Sequence, residues 1–506
     1  ASCPRLPVPG FLSPASCPRL PVPRLLAPGF SPVRPVPSVP VLPLQRRVVS
    51  LSLRVGGVAC AVALGLAPGA ARAENREINP LGNEAALSGG AVVALGRDTG
   101  SIYYNPAGLG AVRRTQFNLS TQALQLRARV IPYAVTALLD HGARDGATLS
   151  SFQLLLMPSS LAVTRHLGRG VTVGVGYFAP DYDYYDYGAS IDSQKPNAGY
   201  RARVQVDGWV YRYHAGPSIG WQPHPRFRIG MSLLFTYGWR REEGRLWMWS
   251  AEGPKDKEIE ASLVTDLDSK RSIYGGEAVF GLQWEMVKNL HFGLSVRTPR
   301  FVAYETHKIY ALTVANHHDP SRDSRDLFSF DDVPGKPQRG RVAPMRITAG
   351  LAYALPRRLG WVSVEGDFSP KLRLPHQESD IRAVANARVG ARLRTAENLF
   401  FGVGAFTDHA DEVRTGNFPH FRMNYYGVSS GVEFLSPVTL GKRERARTIV
   451  FSTCIAVRYA YGRGSATRVD LDFSRASEGI LSYGLGTIEP VAFHLLAGHL
   501  GMGTYF

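Results

Sequence analysis

The chain has 506 residues, 58 Lys and Arg against 41 Asp and Glu, a formal charge of +17 and four cysteines. The first 73 residues hold eight arginines and no acid, so the charge beyond them falls to +9 and gives no argument for nucleic acid. Cys3, Cys17 and Cys60 lie in that same stretch, and the lone Cys454 beyond it cannot form an internal disulfide.

Residues 1–45 carry 13 of the 35 prolines, no acid, and the repeat "ASCPRLPVP" at Ala1 and Ala15. Such a stretch packs no core. It reads as a disordered extension or as the product of a start placed too far upstream, and the second is favoured because an export signal follows directly. Residues 46–73 form that signal: Arg46, Arg47 and Arg54, then apolar Val55 to Ala70, then Ala-Arg-Ala ending at Ala73. A twin-arginine signal, lipidation at Cys60 and an uncleaved anchor are weaker readings, since the apolar run is short of the roughly 20 residues a spanning helix needs.

Residues 74–113 are rich in Gly and Ala and show little strand alternation. At their end, Asn105-Pro106 favours a turn and Gly108 admits conformations closed to other residues. From 114 onward period two takes over. Phe227, Ile229, Met231, Leu233, Phe235, Tyr237 and Trp239 share one face against Arg228, Gly230, Ser232, Thr236 and Gly238. The pattern returns in 381–394 and 448–461, each time with a small or polar opposite face.

No segment beyond the signal reaches 18 consecutive apolar residues, which excludes spanning helices. Segments of this length, with Tyr or Trp at the ends of the apolar face, predict a lipid-facing sheet that must close on itself, because hydrocarbon satisfies no backbone hydrogen bond. About 14 such segments are expected, near 116–128, 150–166, 170–180, 204–222, 226–242, 272–287, 289–303, 342–355, 359–370, 381–395, 398–408, 420–434, 446–462 and 492–506. Short links such as "QPHPR" and "PRRLG" alternate with long polar ones at 181–203, 243–271, 304–341 and 463–491. The fold class is therefore an all-β transmembrane antiparallel barrel over 114–506, too wide for its own side chains to fill. Residues 74–113 are the candidate plug. The last strand places Leu500, Met502, Thr504 and Phe506 on one face, and a terminal aromatic there looks like the insertion signal read by the barrel assembly machinery of a Gram-negative outer membrane.

The block "GNEAALSGGAVVALGRDTGSIYYNPAGL" (82–109), with "GLSVRTP" at Gly293, "APMRITAGLAYAL" at Ala343 and the terminal Phe506, resembles the FadL-type outer-membrane transporters of long-chain fatty acids and other hydrophobic molecules. The resemblance implies passive uptake with no cofactor. A ligand would pass from an outer apolar groove to an interior pocket and leave, past a shifting N-terminal hatch, through a gap in the wall. It also implies that Asn105, Pro106, Ala107 and Gly108 form the turn holding the hatch in the wall. Leu246, Trp247, Met248 and Trp249 in the loop after the fifth strand, and Leu327, Phe328 and Phe330 in the loop after the seventh, are candidate walls of the groove; interfacial anchoring and internal loop packing are the alternatives. Pro180 cannot donate to a ladder, so pairing should fail around Ala179, Pro180 and Asp181, or the strand ends there. Inward Arg382, Arg388, Arg392 and Arg394 meet a ligand carboxylate or, the favoured reading, pair across the lumen with acids such as Glu365 and Asp367.

The rival from another class is an outer-membrane enzyme acting on lipids. His214, His291, His420 and His499 are isolated, and no Gly-x-Ser-x-Gly elbow is present, so catalysis is not expected. Adjacent His317-His318-Asp319 make a weak metal site, and none is expected. A general diffusion porin is disfavoured by the plug.

Overall fold

The computed structural model describes residues 79–139, 144–195, 198–252, 259–318, 325–333, 341–372, 381–411, 421–440, 447–478 and 480–506. The expected extension at 1–45, the expected export signal at 46–73 and the start of the expected plug lie outside them. So do His420 and Asp319.

Each expected alternating segment contains strand, with breaks at Thr298–Pro299, Pro344–Met345 and Arg382–Ala383 among the described residues. In chain order the strands are β1 (Gln116–Leu138), β2 (Arg144–Gly168), β3 (Val171–Lys195), β4 (Ala198–His224), β5 (Phe227–Glu252) and β6 (Ile259–Val287). Next come β7 (Leu290–Arg297), β8 (Arg300–His318), β9 (Arg325–Val333), β10 (Arg341–Ala343), β11 (Arg346–Leu355) and β12 (Gly360–Ser369). The last are β13 (Val384–Ala396), β14 (Leu399–Asp408), β15 (Phe421–Leu440), β16 (Arg447–Arg475) and β17 (Ile480–Tyr505).

All belong to one sheet, and its pairings run in a circle. β1 to β7 pair each with the next, β7 pairs with β11, β11 to β17 continue in order, and β17 pairs with β1. Past the end of β17 the seam is fastened by Phe506 N–H donating to Thr115 O (3.0 Å) and Thr115 N–H to Phe506 O (2.9 Å). The sheet has 17 strands among the described residues rather than about 14. Pro299 and Pro344 explain part of the difference: each sits in a break, one between β7 and β8, the other between β10 and β11, where a missing N–H interrupts the ladder.

Much of the expected loop sequence is also strand. β5 and β6 stay paired from Phe227↔Trp284 to Glu252↔Ile259, across the supposed loop 243–271. The supposed loops 181–203, 304–341 and 463–491 likewise contain long paired runs. Hairpins of this length outrun the roughly 9–11 residues that cross a bilayer, and on the part beyond it the outward face turns polar, so the apolar alternation fades while the ladder continues.

The two faces are inverted relative to a soluble protein. On β2, Phe152, Leu154 and Leu156 are 73%, 62% and 73% exposed, while Ser151, Gln153 and Met157 are buried. On β5, Phe235 is 69% exposed between buried Leu234 and Thr236. Rings ladder across the outward face from Tyr177 through Tyr213, Tyr237 and Tyr274 to Tyr304. A belt of this kind suits a membrane interface. Phe235→Arg is therefore expected to lower stability in lipid vesicles by about 2–4 kcal/mol, read by urea unfolding, with Phe235→Leu nearly neutral.

Candidate functional site

Short turns at Arg169–Gly170, Pro225–Arg226, Lys288–Asn289 and Glu397–Asn398 lie at one end of the barrel, together with Thr115 and Phe506. Within the turn-side half, the leading segment 79–112 is buried except at Glu84, Arg97, Asp98 and Ala111. It folds into helical turns at Asn83–Leu87, Ser101–Tyr104 and Pro106–Ala111. Its hydrogen bonds reach many strands: Asn83 Nδ2 donates to Ser452 Oγ on β16 (3.2 Å), Val93 N–H to Glu365 on β12 (2.9 Å), and Ser232 Oγ on β5 to Ile102 O (2.8 Å). On β7, Ser295 Oγ donates to Tyr104 O (2.7 Å) and Arg297 to Tyr103 O (2.8 Å), the guanidinium lying 4.2 Å from the Tyr103 ring centre.

Asn105 organises the turn singled out in the sequence. Its Nδ2 donates to Val93 O (2.7 Å) and to Leu282 O of β6 (3.1 Å), and its Oδ1 accepts from Ala107 N–H (3.1 Å), capping the helical turn that Pro106 begins. One side chain thus ties the segment to itself and to the wall. The wall makes room with glycine: a Cβ on Gly281 would overlap the Asn105 side-chain oxygen, and one on Gly230 would overlap the Pro106 backbone.

Around this segment the inward charges pair. Arg388 reaches Glu365 (3.1 Å) and Asp367 (2.7 Å), Arg346 reaches Asp367 (3.1 Å), and Glu277 accepts Arg297, Arg300 (3.4 Å) and His214 (3.3 Å). The expected pairing with Glu365 and Asp367 thus holds for Arg388, although between adjacent strands rather than across the bore. Arg392 pairs with Glu433 (2.6 Å), while Arg382 and Arg394 donate to backbone carbonyls.

The half away from the short turns is lined differently. Tyr187, Leu246, Met248, Met423, Phe473 and Phe493 belong to one buried apolar cluster drawn from both sides of the ring. Tyr200 of β4 meets Phe473 of β16 at 5.5 Å between ring centres. The expected loop cluster Leu246–Trp249 is corrected here: the four residues lie on β5, and the period of two sends Leu246 and Met248 inward, fully buried, while Trp247 and Trp249 face outward. Leu327, Phe328 and Phe330 lie on β9, opposite Ala315, Val314 and Leu312 of β8, rather than in a loop; their side chains lie outside the described residues.

The wall between β2 and β3 is interrupted where Pro180 suggested. Pairing runs from Gly168↔Val171 to Ser160↔Phe178, and among the described residues the next partners are Ser150↔Gly188. Residues 151–159 and 179–187 are both strand, held by their other neighbours β1 and β4, yet they do not pair with each other. A strand end at Ala179–Asp181 is thereby excluded. Following the register, the partner of Pro180 is Pro158, which the sequence reading missed. Neither residue has an N–H, so this pair exchanges no hydrogen bond. Both strands also bulge there, β2 between Ser120↔Ser160 and Thr121↔Pro158, β3 between Phe178↔His214 and Asp181↔Arg212.

No family model and no curated protein matches the chain. Among solved structures it is similar to the CymD monoaromatic hydrocarbon channel (12% identity, 86% of this chain and 98% of that one, TM-score 0.45). It is also similar to the toluene transporter TbuX of Ralstonia pickettii (14%, 86% and 99%, 0.48) and to a FadL homologue of Pseudomonas aeruginosa (11%, 85% and 99%, 0.46).

Proposed function

We propose that the chain is a FadL-type passive uptake channel for hydrophobic small molecules in a Gram-negative outer membrane. The observation that carries this reading is the division of the interior: a hydrogen-bonded segment buried on the turn side, and beyond it a buried apolar cluster that would line a chamber. Such a chamber receives an alkyl or aryl group with a gain of about 0.8 kcal/mol per CH₂ removed from water, and a water-filled pore would not. In this reading residues 79–112 are a hatch, Asn105 to Gly108 hold it to the wall, Leu246 and Met248 line the chamber, and the opening at Ala179–Asp181 is the lateral exit. Leu327, Phe328 and Phe330 belong to the outer intake side. Taking β7 with β8 and β10 with β11 as single interrupted spans, the pairings among the described residues are compatible with a circle of fourteen, an even number as a bacterial barrel requires. The export signal would be removed near Ala73, and the assembly machinery would read Phe506.

The test is to incubate the purified protein with a lipid extract and identify what stays bound by mass spectrometry. Fatty acids or hydrocarbons are expected, and Met248→Asp should lose most of them. Release of cleaved lipid would overturn the reading in favour of an enzyme, and sugar conductance by the intact protein in favour of a porin.

A further inference from the structure

We propose that Arg127, Arg129 and Asp183 form a latch that holds the seam between β2 and β3 open; the proposal rests on the reading of that seam as the exit. The two strands keep one register on both sides of the gap, since Ser150↔Gly188 and Ser160↔Phe178 have the same summed number, 338. Their faces also match: carried through the gap, that register sets outward Leu154 against Tyr184 and inward Gln153 against Tyr185. No slip stands in the way of closure above the proline pair, so something else keeps the strands apart.

Arg127 and Arg129 lie on β1, two strands from β3, and extend inward past β2. Arg127 donates to Tyr182 O (2.6 Å) and Arg129 to Tyr184 O (3.4 Å), carbonyls of the stretch that β2 leaves unpaired. Asp183 between them accepts both arginines, Arg129 through both of its oxygens at 2.6 Å. The seam register places Leu156 and Leu154 opposite Tyr182 and Tyr184, so the guanidiniums satisfy acceptors that closure would hand to β2. Gln125 extends the network to the leading segment: its Oε1 accepts from Arg127 (3.0 Å) and its Nε2 donates to Asn79 Oδ1 (3.4 Å). Displacement of Asn79 would therefore loosen the latch, coupling the segment to the exit through contiguous hydrogen bonds.

The test uses the processed chain, which on the reading above lacks Cys3, Cys17 and Cys60, in lipid vesicles with Leu154→Cys and Tyr184→Cys, bridged by a short bifunctional thiol reagent whose reach fits paired strands only. The native Cys454 is fully buried. Adding Arg127→Gln, Arg129→Gln and Asp183→Asn is expected to raise bridging about fivefold over the same cysteines with the latch intact. Equal bridging in the two backgrounds overturns the proposal. Each comparison is made on protein that keeps the compact, unheated gel mobility of a folded barrel. Should the triple change fail to fold, Arg129→Lys keeps a charge beside Asp183 but gives up the fork that also reaches the Tyr184 carbonyl; about twofold more bridging is expected, and unchanged bridging overturns the latch. Transport is read separately: if bridged protein still releases a hydrophobic probe to the membrane, the exit reading fails while the latch result stands.

Discussion

Excision of residues 79–112 is expected to turn a barely conducting protein into an open pore, with single-channel conductance rising about tenfold or more in a planar bilayer. The barrel should survive, because its ladders run from strand to strand and the segment contributes none of them. What the wall loses is a set of hydrogen bonds to its inward groups, among them Ser232, Ser295, Arg297 and Glu365, and water can replace those partners once the bore is wet. A point substitution should act in the same direction. A side chain on Gly281 meets Asn105, the residue that binds both Val93 and β6, and the obstruction falls on that bound side chain and on the Ala107 backbone rather than on a flexible tip. Gly281→Val is thus expected to admit bulky hydrophilic antibiotics, read as a fall in the inhibitory concentration for expressing cells. Conductance that stays low after excision would mean that residues 79–112 do not close the bore.

How far the sequence carried this picture depends on the range over which each signal acts. The inverted faces were legible because alternation is local: Phe235 and Thr236 declare their sides by position alone. The Asn105-Pro106 turn was legible for the same reason. The long hairpins were not, since Glu243, Arg245 and Asp266 present polar side chains on strands that remain paired. Leu246 to Trp249 looked like one apolar cluster only while that stretch was taken for loop; as strand it divides into two buried residues and two outward rings. Pro180 could be suspected alone. Its partner Pro158 follows from register, a relation between distant segments that periodicity does not encode, and the same holds for the reach of Arg127 and Arg129 past a whole strand.

Restoring the missing donors at the base of the gap should close it as far as the latched carbonyls. With Pro158→Thr and Pro180→Val, both register partners regain an N–H, and β-branched residues suit the pleat on either side. The latch acts further along, on the carbonyls of Tyr182 and Tyr184, so it does not protect this first pair. Zippering from Ser160↔Phe178 then continues the existing ladder and needs no new nucleus. A pair of restored backbone hydrogen bonds is worth about 1–3 kcal/mol, which should appear as greater resistance to urea in vesicles. Transfer of a hydrophobic fluorophore from the chamber to surrounding lipid should meanwhile fall about tenfold, since 1–3 kcal/mol in favour of the closed seam leaves the open form a minority. Binding of the same fluorophore to detergent-solubilised protein should hardly change, because Leu246, Met248 and Phe473 keep their places. Pro180→Val alone supplies one donor against a prolyl partner and is expected to fall between the native and double variants in both measurements. A double variant that gains stability yet releases the fluorophore at the native rate would show that the ligand leaves by another route.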